Sequence, residues 1–86
     1  MKERFVYFYF MKNEPEKIDS AIQAHVEYWR NKNLPNYFGG PFADRTGGLI
    51  IFDSASIENA KKITEKDPFV ERDIIDKKWV KEWIPE

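Results

Sequence analysis

Residues 5–11 read FVYFYFM, an unbroken run of apolar and aromatic side chains near the start of the chain. The run is too short for a stable helix, and Phe, Tyr and Val favour extended backbone, so it predicts a β-strand. Successive side chains of a strand point to opposite faces of the sheet. One face therefore carries Phe5, Tyr7 and Tyr9, and the other carries Val6, Phe8 and Phe10. Such a strand predicts a sheet with two apolar faces.

A helix is predicted to follow this strand. Asn13 is suited to an N-cap, Pro15 is tolerated in the first turn, and acidic residues there suit the positive end of the helix dipole. The apolar positions then recur with a period of about 3.6 residues and form one helix face, if the histidine is counted: Ile18, Ala21, Ile22, His25, Val26 and Trp29. The helix is expected to run to about Asn33, because Leu34-Pro35-Asn36 ends it.

The rest of the chain predicts three more strands and a second helix. The strands are a weaker edge strand with Pro41 at 36–42, a buried strand at 48–52 after the turn at 44–47, and a last strand at 78–84. Ser54 and Ser56 are both candidate caps for the second helix, whose buried stripe is Ile57, Ala60 and Ile63. Asp67-Pro68 stops that helix, and a short helical turn fits 68–72. The order β-α-β-β-α-β over a single domain, 1–86, predicts an α+β, ferredoxin-like antiparallel sheet with two helices on one face.

Two helices cover only one face of such a sheet, and the other face would present large rings to water. A patch of that kind exceeds what soluble monomers usually tolerate. The sequence therefore predicts a homodimer that stacks the two uncovered sheet faces. The alternative is a monomer whose tyrosines tolerate solvent.

The composition limits the classes of function. The chain has 14 Lys and Arg against 15 Asp and Glu, a net charge of −1, and no basic run, so a nucleic-acid partner is not expected. It has no cysteine, and with one histidine and scattered carboxylates it offers no metal-ligand spacing. No stretch predicts a signal peptide or a membrane span, and the composition predicts a cytoplasmic protein.

His25 is the only histidine, and the helical periodicity places it on the apolar face. Burying an imidazole donor or acceptor without a partner costs about 1–3 kcal/mol, so His25 needs one. Asp67, at the carboxyl end of the second helix, is the candidate, because the two helices of this fold pack side by side. A His25–Asp67 contact would fix the ring tautomer and leave the other nitrogen free for acid–base chemistry. Two alternatives remain open: Asp67 as an N-cap for the amide of Val70 or its neighbour, and His25 bonded to a backbone carbonyl.

Four segments together carry a family resemblance: His25 in the first helix, GGPF at 39–42, GGLIIFDSAS at 47–56 and DPF at 67–69. In this order they resemble the YciI-like (YCII-related) family over nearly the whole chain. GGPFAD is also similar to the DGPF-type branch, except that Gly39 stands where that branch has an acidic residue. The resemblance implies a ferredoxin-like homodimer of the dimeric α/β-barrel kind, with a small cleft lined by His25 and Asp67.

The resemblance also implies a chemistry, because the family is similar to a dehydrochlorinase of chlorinated hydroxyquinols that is proposed to use such a pair. We therefore predict an enzyme that abstracts a proton from a small cyclic or phenolic substrate, with elimination or isomerisation and without a cofactor or metal. His25 and Asp67 are the predicted catalytic residues, and substrate contacts are expected at Gly40, Pro41, Phe42 and Phe69. Two alternatives on the same dimer remain: a non-catalytic small-molecule binding or sensing module, and a purely structural dimer with no pocket beside the ring.

Overall fold

The structure, a computed structural model, describes residues 2–86. These residues form β1 (Glu3–Met11), α1 (Pro15–Lys32), β2 (Phe38–Pro41), β3 (Gly47–Ser54), α2 (Ile57–Glu65), α3 (Pro68–Glu71) and β4 (Ile75–Glu82). The strands make one antiparallel sheet in the order β2-β3-β1-β4. With α3 as an added turn, the chain has the β-α-β-β-α-β connectivity described for ferredoxin-like folds, and the predicted α+β class is confirmed. None of the helices in residues 2–86 is long and apolar enough to cross a bilayer.

The core lies between the helices and the face of β1 that carries Phe5, Tyr7 and Tyr9. The alternation in β1 predicts that the three rings share a face, and all three are buried beneath the helices, so Tyr7 and Tyr9 are not the rings left to solvent. From α1, Trp29 stacks on Tyr7 with ring centroids 5.9 Å apart and lies 5.6 Å from the ring of Phe52. The large rings of one strand and one helix thus fill the interior and fix the position of α1 over the sheet.

The structure shows which of the candidate residues cap the two longer helices. Asn13 is not the N-cap of α1: the cap is Glu14, without a side-chain hydrogen bond, because Pro15 occupies the first helical position and the cap is the residue before it. In α2 the cap is Ser56, whose hydroxyl accepts a hydrogen bond from the backbone N–H of Asn59 at 3.0 Å. Ser54 instead ends β3 and accepts from the Asn59 side chain.

The predicted bounds of all four strands were wrong by one to three residues at one or both ends. The last strand begins three residues before the predicted Lys78, at Ile75, and stops at Glu82, so that Ile84 lies outside it. Its position is decided by pairing with β1, and the charged side chains at 76–78 are tolerated because β4 is an edge strand whose side chains reach water. The strand predicted over 36–42 shortens to β2, since Asn36 has a left-handed backbone (φ 54°). The edge position predicted from Pro41 is confirmed.

Gly47 is required where β3 passes β1. A Cβ at this position would overlap the carbonyl oxygen of Tyr9, which belongs to the backbone and cannot move aside cheaply. We expect Gly47→Ala to lower the free energy of unfolding by about 3 kcal/mol, measured by urea denaturation. Gly40→Ala is the matched control, because a Cβ there meets nothing within 4 Å. Equal stability of the two variants would contradict this assignment.

Candidate active site

Asp67 is a fully buried carboxylate between the second and third helices. It is the N-cap of α3, and its Oδ1 accepts from the Phe69 backbone N–H at 2.8 Å. Its Oδ2 accepts from the indole Nε1–H of Trp29, also at 2.8 Å. A buried carboxylate without donors would be very costly, so these bonds are what permits an ionised group at this position.

His25 is the third donor to the same carboxylate. Its Nδ1 lies 2.9 Å from Oδ1 and 2.8 Å from Oδ2 of Asp67. Because both oxygens already accept N–H bonds, the proton of this contact belongs on Nδ1 of His25. The imidazole also stacks on Phe69, with centroids 4.0 Å and planes 7° apart, and only 12 % of its side chain is exposed. Asp67 and Phe69 together set the tautomer and the orientation of the ring.

The predicted His25–Asp67 contact is therefore present. The alternative interpretation of Asp67, as the N-cap of the helical turn after it, holds as well. One carboxylate serves both purposes, since it accepts several hydrogen bonds, and the capped amide is that of Phe69, the neighbour of Val70. The recorded hydrogen-bond partners of the His25 ring are side chains, Asp67 and Tyr9, and not the backbone carbonyl of the alternative interpretation.

The second ring nitrogen of His25, which the sequence predicted to be free, is hydrogen-bonded to Tyr9. The hydroxyl of Tyr9 lies 3.3 Å from Nε2 of His25. With the proton of His25 on Nδ1, Nε2 is an acceptor and the phenol donates to it. Asp67, His25 and Tyr9 thus form a continuous chain of hydrogen bonds, in which Tyr9 is the member farthest from Asp67.

The environment of Tyr9 keeps its proton in place. Burial raises the pKa of Tyr9 above its usual range, and the negative charge of Asp67 and the nearby Tyr37 raise that pKa further. Tyr9 therefore stays a neutral phenol near neutral pH, able to donate a hydrogen bond and to pass a proton on only as another arrives.

A cavity of about 550 Å³ opens beside Tyr9 and His25, large enough for a compound with one ring. Most of its lining is apolar, and α1 contributes Ile18, Ile22, Val26 and Trp29. Of the predicted substrate contacts, Gly40, Pro41 and Phe69 line this cavity. Phe42 is not among the lining residues: its ring lies 5.7 Å from Phe10, on the sheet face that the helices leave uncovered.

Sequence reasoning missed Tyr9 as a partner of His25 and Trp29 as a donor to Asp67. For Trp29 a signal existed, because residues four apart on a helix lie on one face, and His25 and Trp29 are so spaced. For Tyr9 the strand alternation predicted only that the side chain shares a face of the sheet with Phe5 and Tyr7. Which residue of α1 lies above Tyr9 depends on how the helix crosses the sheet.

Among residues 2–86, no group of three or more His, Cys, Asp and Glu side chains is placed so that it could hold a metal ion. His25 and Asp67 alone give one nitrogen and one carboxylate, and the hydrogen bonds described above already use the carboxylate oxygens and Nδ1.

Comparison with known proteins assigns the family. The model of the YCII-related domain matches residues 4–84, and the chain belongs to that family. A comparison with curated proteins found no match. The predicted YCII-related membership is thus confirmed, while the likeness to the DGPF-type branch stays a prediction.

Two solved structures share the fold. One is 5-chloro-2-hydroxyhydroquinone dehydrochlorinase (TftG) from Burkholderia phenoliruptrix AC1100, in complex with 2,5-dihydroxybenzoquinone; it has a TM-score of 0.82 and 21% identity over 94% of this chain and 93% of that one. The other is protein SO0527 from Shewanella oneidensis, with a TM-score of 0.57 and 12% identity over 95% of this chain and 88% of that one. At these identities the likeness concerns the fold.

Proposed function

We propose that this protein is a small-molecule enzyme in which His25 exchanges a proton with a cyclic or phenolic substrate bound in the cavity. The observation that carries the proposal is the hydrogen-bonded chain Asp67–His25–Tyr9 ending beside an apolar cavity of about 550 Å³. A fully buried carboxylate orients the imidazole and stabilises the imidazolium that forms when the ring accepts a proton.

The shape of the site supports a flat ring as substrate. Aromatic side chains line the cavity, among them the exposed Tyr37, whose ring stacks on the buried Trp29 with planes 8° apart. Flat aromatic walls favour planar ligands, which stack on them. The structural neighbour in complex with 2,5-dihydroxybenzoquinone, a planar ring with polar substituents, gives the same indication of size and shape.

The proton would move through Tyr9. A substrate hydroxyl that donates to the Tyr9 oxygen passes its proton there, while the proton of Tyr9 passes to Nε2 of His25. In an elimination one ring hydroxyl first ketonises as the chlorine-bearing carbon takes up a proton; the electron pair released when a second hydroxyl loses its proton then forms the second carbonyl, and the carbon–chlorine bond breaks with its electron pair leaving on chloride. The imidazolium, paired with Asp67, then holds the proton until solvent removes it, so that HCl is lost overall.

The test uses the ligand and substrate of the structural neighbour as probes. We expect the protein to bind 2,5-dihydroxybenzoquinone in calorimetry and to speed chloride release from 5-chloro-2-hydroxyhydroquinone above the rate in buffer. Binding without chloride release, and without any other conversion detected by chromatography, would support the alternative of a non-catalytic binding or sensing module. Absence of both would reject this substrate class.

We also propose that the protein is a homodimer formed through the uncovered face of the sheet. The even-numbered side chains of β1 point to this face and are only partly buried, and neighbouring strands add Leu49, Ile51, Trp79 and the 78 % exposed Phe38. Phe8 and Trp79 stack there with centroids 5.2 Å apart. A second copy of the same face would remove these side chains from water and is the occupant that symmetry favours.

We expect sedimentation equilibrium at micromolar concentration to give twice the 10.3 kDa of one chain. Trp79→Glu, which places a charge on the uncovered face beside Phe8, is expected to give a monomer. Ala55→Glu adds the same charge at an exposed position between β3 and α2 and should leave the dimer intact. A wild-type mass of one chain would overturn the proposal.

A further inference from the structure

The cavity carries positive charge in a chain whose net charge is −1. Its lining includes Arg30 and Arg45, and among residues 2–86 no Asp or Glu lines it. Asp67 lies behind the imidazole with no exposed surface and is already bonded by its own donors. A ligand in the cavity therefore lies beside two arginines and no exposed carboxylate of the lining.

Arg45 is placed at the cavity by an unusual turn. Its backbone is left-handed (φ 64°), a conformation that Gly, Asn and Asp adopt far more readily than Arg. The neighbouring Asp44 does not neutralise it, because the Asp44 carboxylate accepts from the backbone N–H of Thr46 at 3.0 Å and from its hydroxyl at 2.7 Å. The salt bridges found in residues 2–86 do not include Arg45. An arginine at a position that disfavours it, with no acidic partner, indicates a use for its side chain.

Arg30 reaches the same cavity from α1. A cation in the last turn of a helix is ordinary, because it complements the helix dipole. Two further facts tie Arg30 to the cavity: its charge opposes the burial that raises the pKa of Tyr37, another lining residue, and the salt bridges found in residues 2–86 do not include it. The helix and the turn thus each bring to the lining of one cavity an arginine that the salt bridges of residues 2–86 do not include.

We propose that the natural ligand of this cavity is a planar ring that carries a carboxylate, attracted by the positive charge of Arg30 and Arg45 while the ring lies against the aromatic and aliphatic lining. Guanidinium groups match carboxylates in geometry and form charge-assisted hydrogen bonds with them. This inference rests on the proposed function, because it names the substrate class of the same site.

The test compares two ligands that differ in one charge. Gentisate is a dihydroxybenzene with one carboxylate, and gentisamide is the same ring with a neutral amide in its place. In calorimetry at neutral pH and low salt, we expect gentisate to bind about tenfold more tightly than gentisamide, the size of one good charge-assisted contact. Arg30→Gln and Arg45→Gln should each reduce that ratio severalfold. Arg72→Gln removes the same charge from an exposed arginine outside the cavity lining and should leave the ratio unchanged.

Equal affinity for the two ligands, a preference that survives both substitutions, or no binding of either ligand would overturn the inference. Its failure can be told apart from failure of the proposed function. Chloride release from 5-chloro-2-hydroxyhydroquinone without a carboxylate preference leaves the acid–base role of His25 standing and rejects the anion site. If the protein prefers the carboxylate through both arginines but converts no ring compound, the anion site stands and the acid–base role of His25 is rejected.

Discussion

Replacing Asp67 with alanine is expected to lower the free energy of unfolding by about 3–5 kcal/mol, the usual cost of removing one partner from a buried charged pair. The carboxylate accepts hydrogen bonds from His25 Nδ1, Trp29 Nε1 and the backbone N–H of Phe69. Alanine leaves these donors without an acceptor in a region that water reaches poorly, and each unsatisfied group costs about 1–3 kcal/mol. Because small domains have only about 5–15 kcal/mol of stability, this is a large fraction of the total.

The measurement is urea denaturation followed by tryptophan fluorescence and circular dichroism. Asp67→Asn is the intermediate variant: it keeps one acceptor oxygen but turns an amide N–H₂ toward donors, so we expect a smaller loss. Asp76→Ala is the matched control, because Asp76 is exposed on β4 and a surface substitution typically changes stability by no more than about 0.5 kcal/mol. A loss for Asp67→Ala no larger than that of the control would contradict the central role assigned to this carboxylate.

His25→Gln is expected to reduce kcat for chloride release by about 10²–10⁴-fold, the usual contribution of general acid–base catalysis. Glutamine retains an N–H that can donate to Asp67, so the fold should survive, but it cannot accept a proton near neutral pH. The loss should appear in kcat more than in KM, because the side chain acts on the proton in the transition state rather than on ligand affinity.

Binding provides the check that His25→Gln is still folded. Its affinity for 2,5-dihydroxybenzoquinone should remain within about threefold of the parent, while chloride release is lost. Gln23→Ala, at an exposed position two residues earlier on α1, is the matched control and should keep parental kcat. Parental kcat in His25→Gln would remove His25 from the chemistry and leave the cavity as a binding site.

The sequence predicted the His25–Asp67 pair of the site but not the residues around that pair. His25 and Asp67 were predicted to meet because a lone histidine on an apolar helix face needs a partner, and the Asp-Pro segment after the second helix is close enough to provide one. The roles of Tyr9, Arg30 and Arg45 were not predicted in this way. Each has an ordinary local explanation, as a buried strand ring, a basic residue near a helix end, or an arginine in a turn. Nothing in their near neighbours in the chain indicates that they share one cavity.

The amino-acid sequence by itself determined the order of the elements, the α+β class, which side chains of β1 share a face, and which face of α1 is apolar. These follow from periods of about two and 3.6 residues and from capping and breaking residues, which act over one or two turns of chain. Only the tertiary structure decided where β4 pairs with β1, that the Tyr9 hydroxyl meets Nε2 of His25, and that two arginines line one cavity. The last two outcomes depend on how α1 crosses the sheet, and that angle is set by the fit of many side chains at once, which no local pattern encodes.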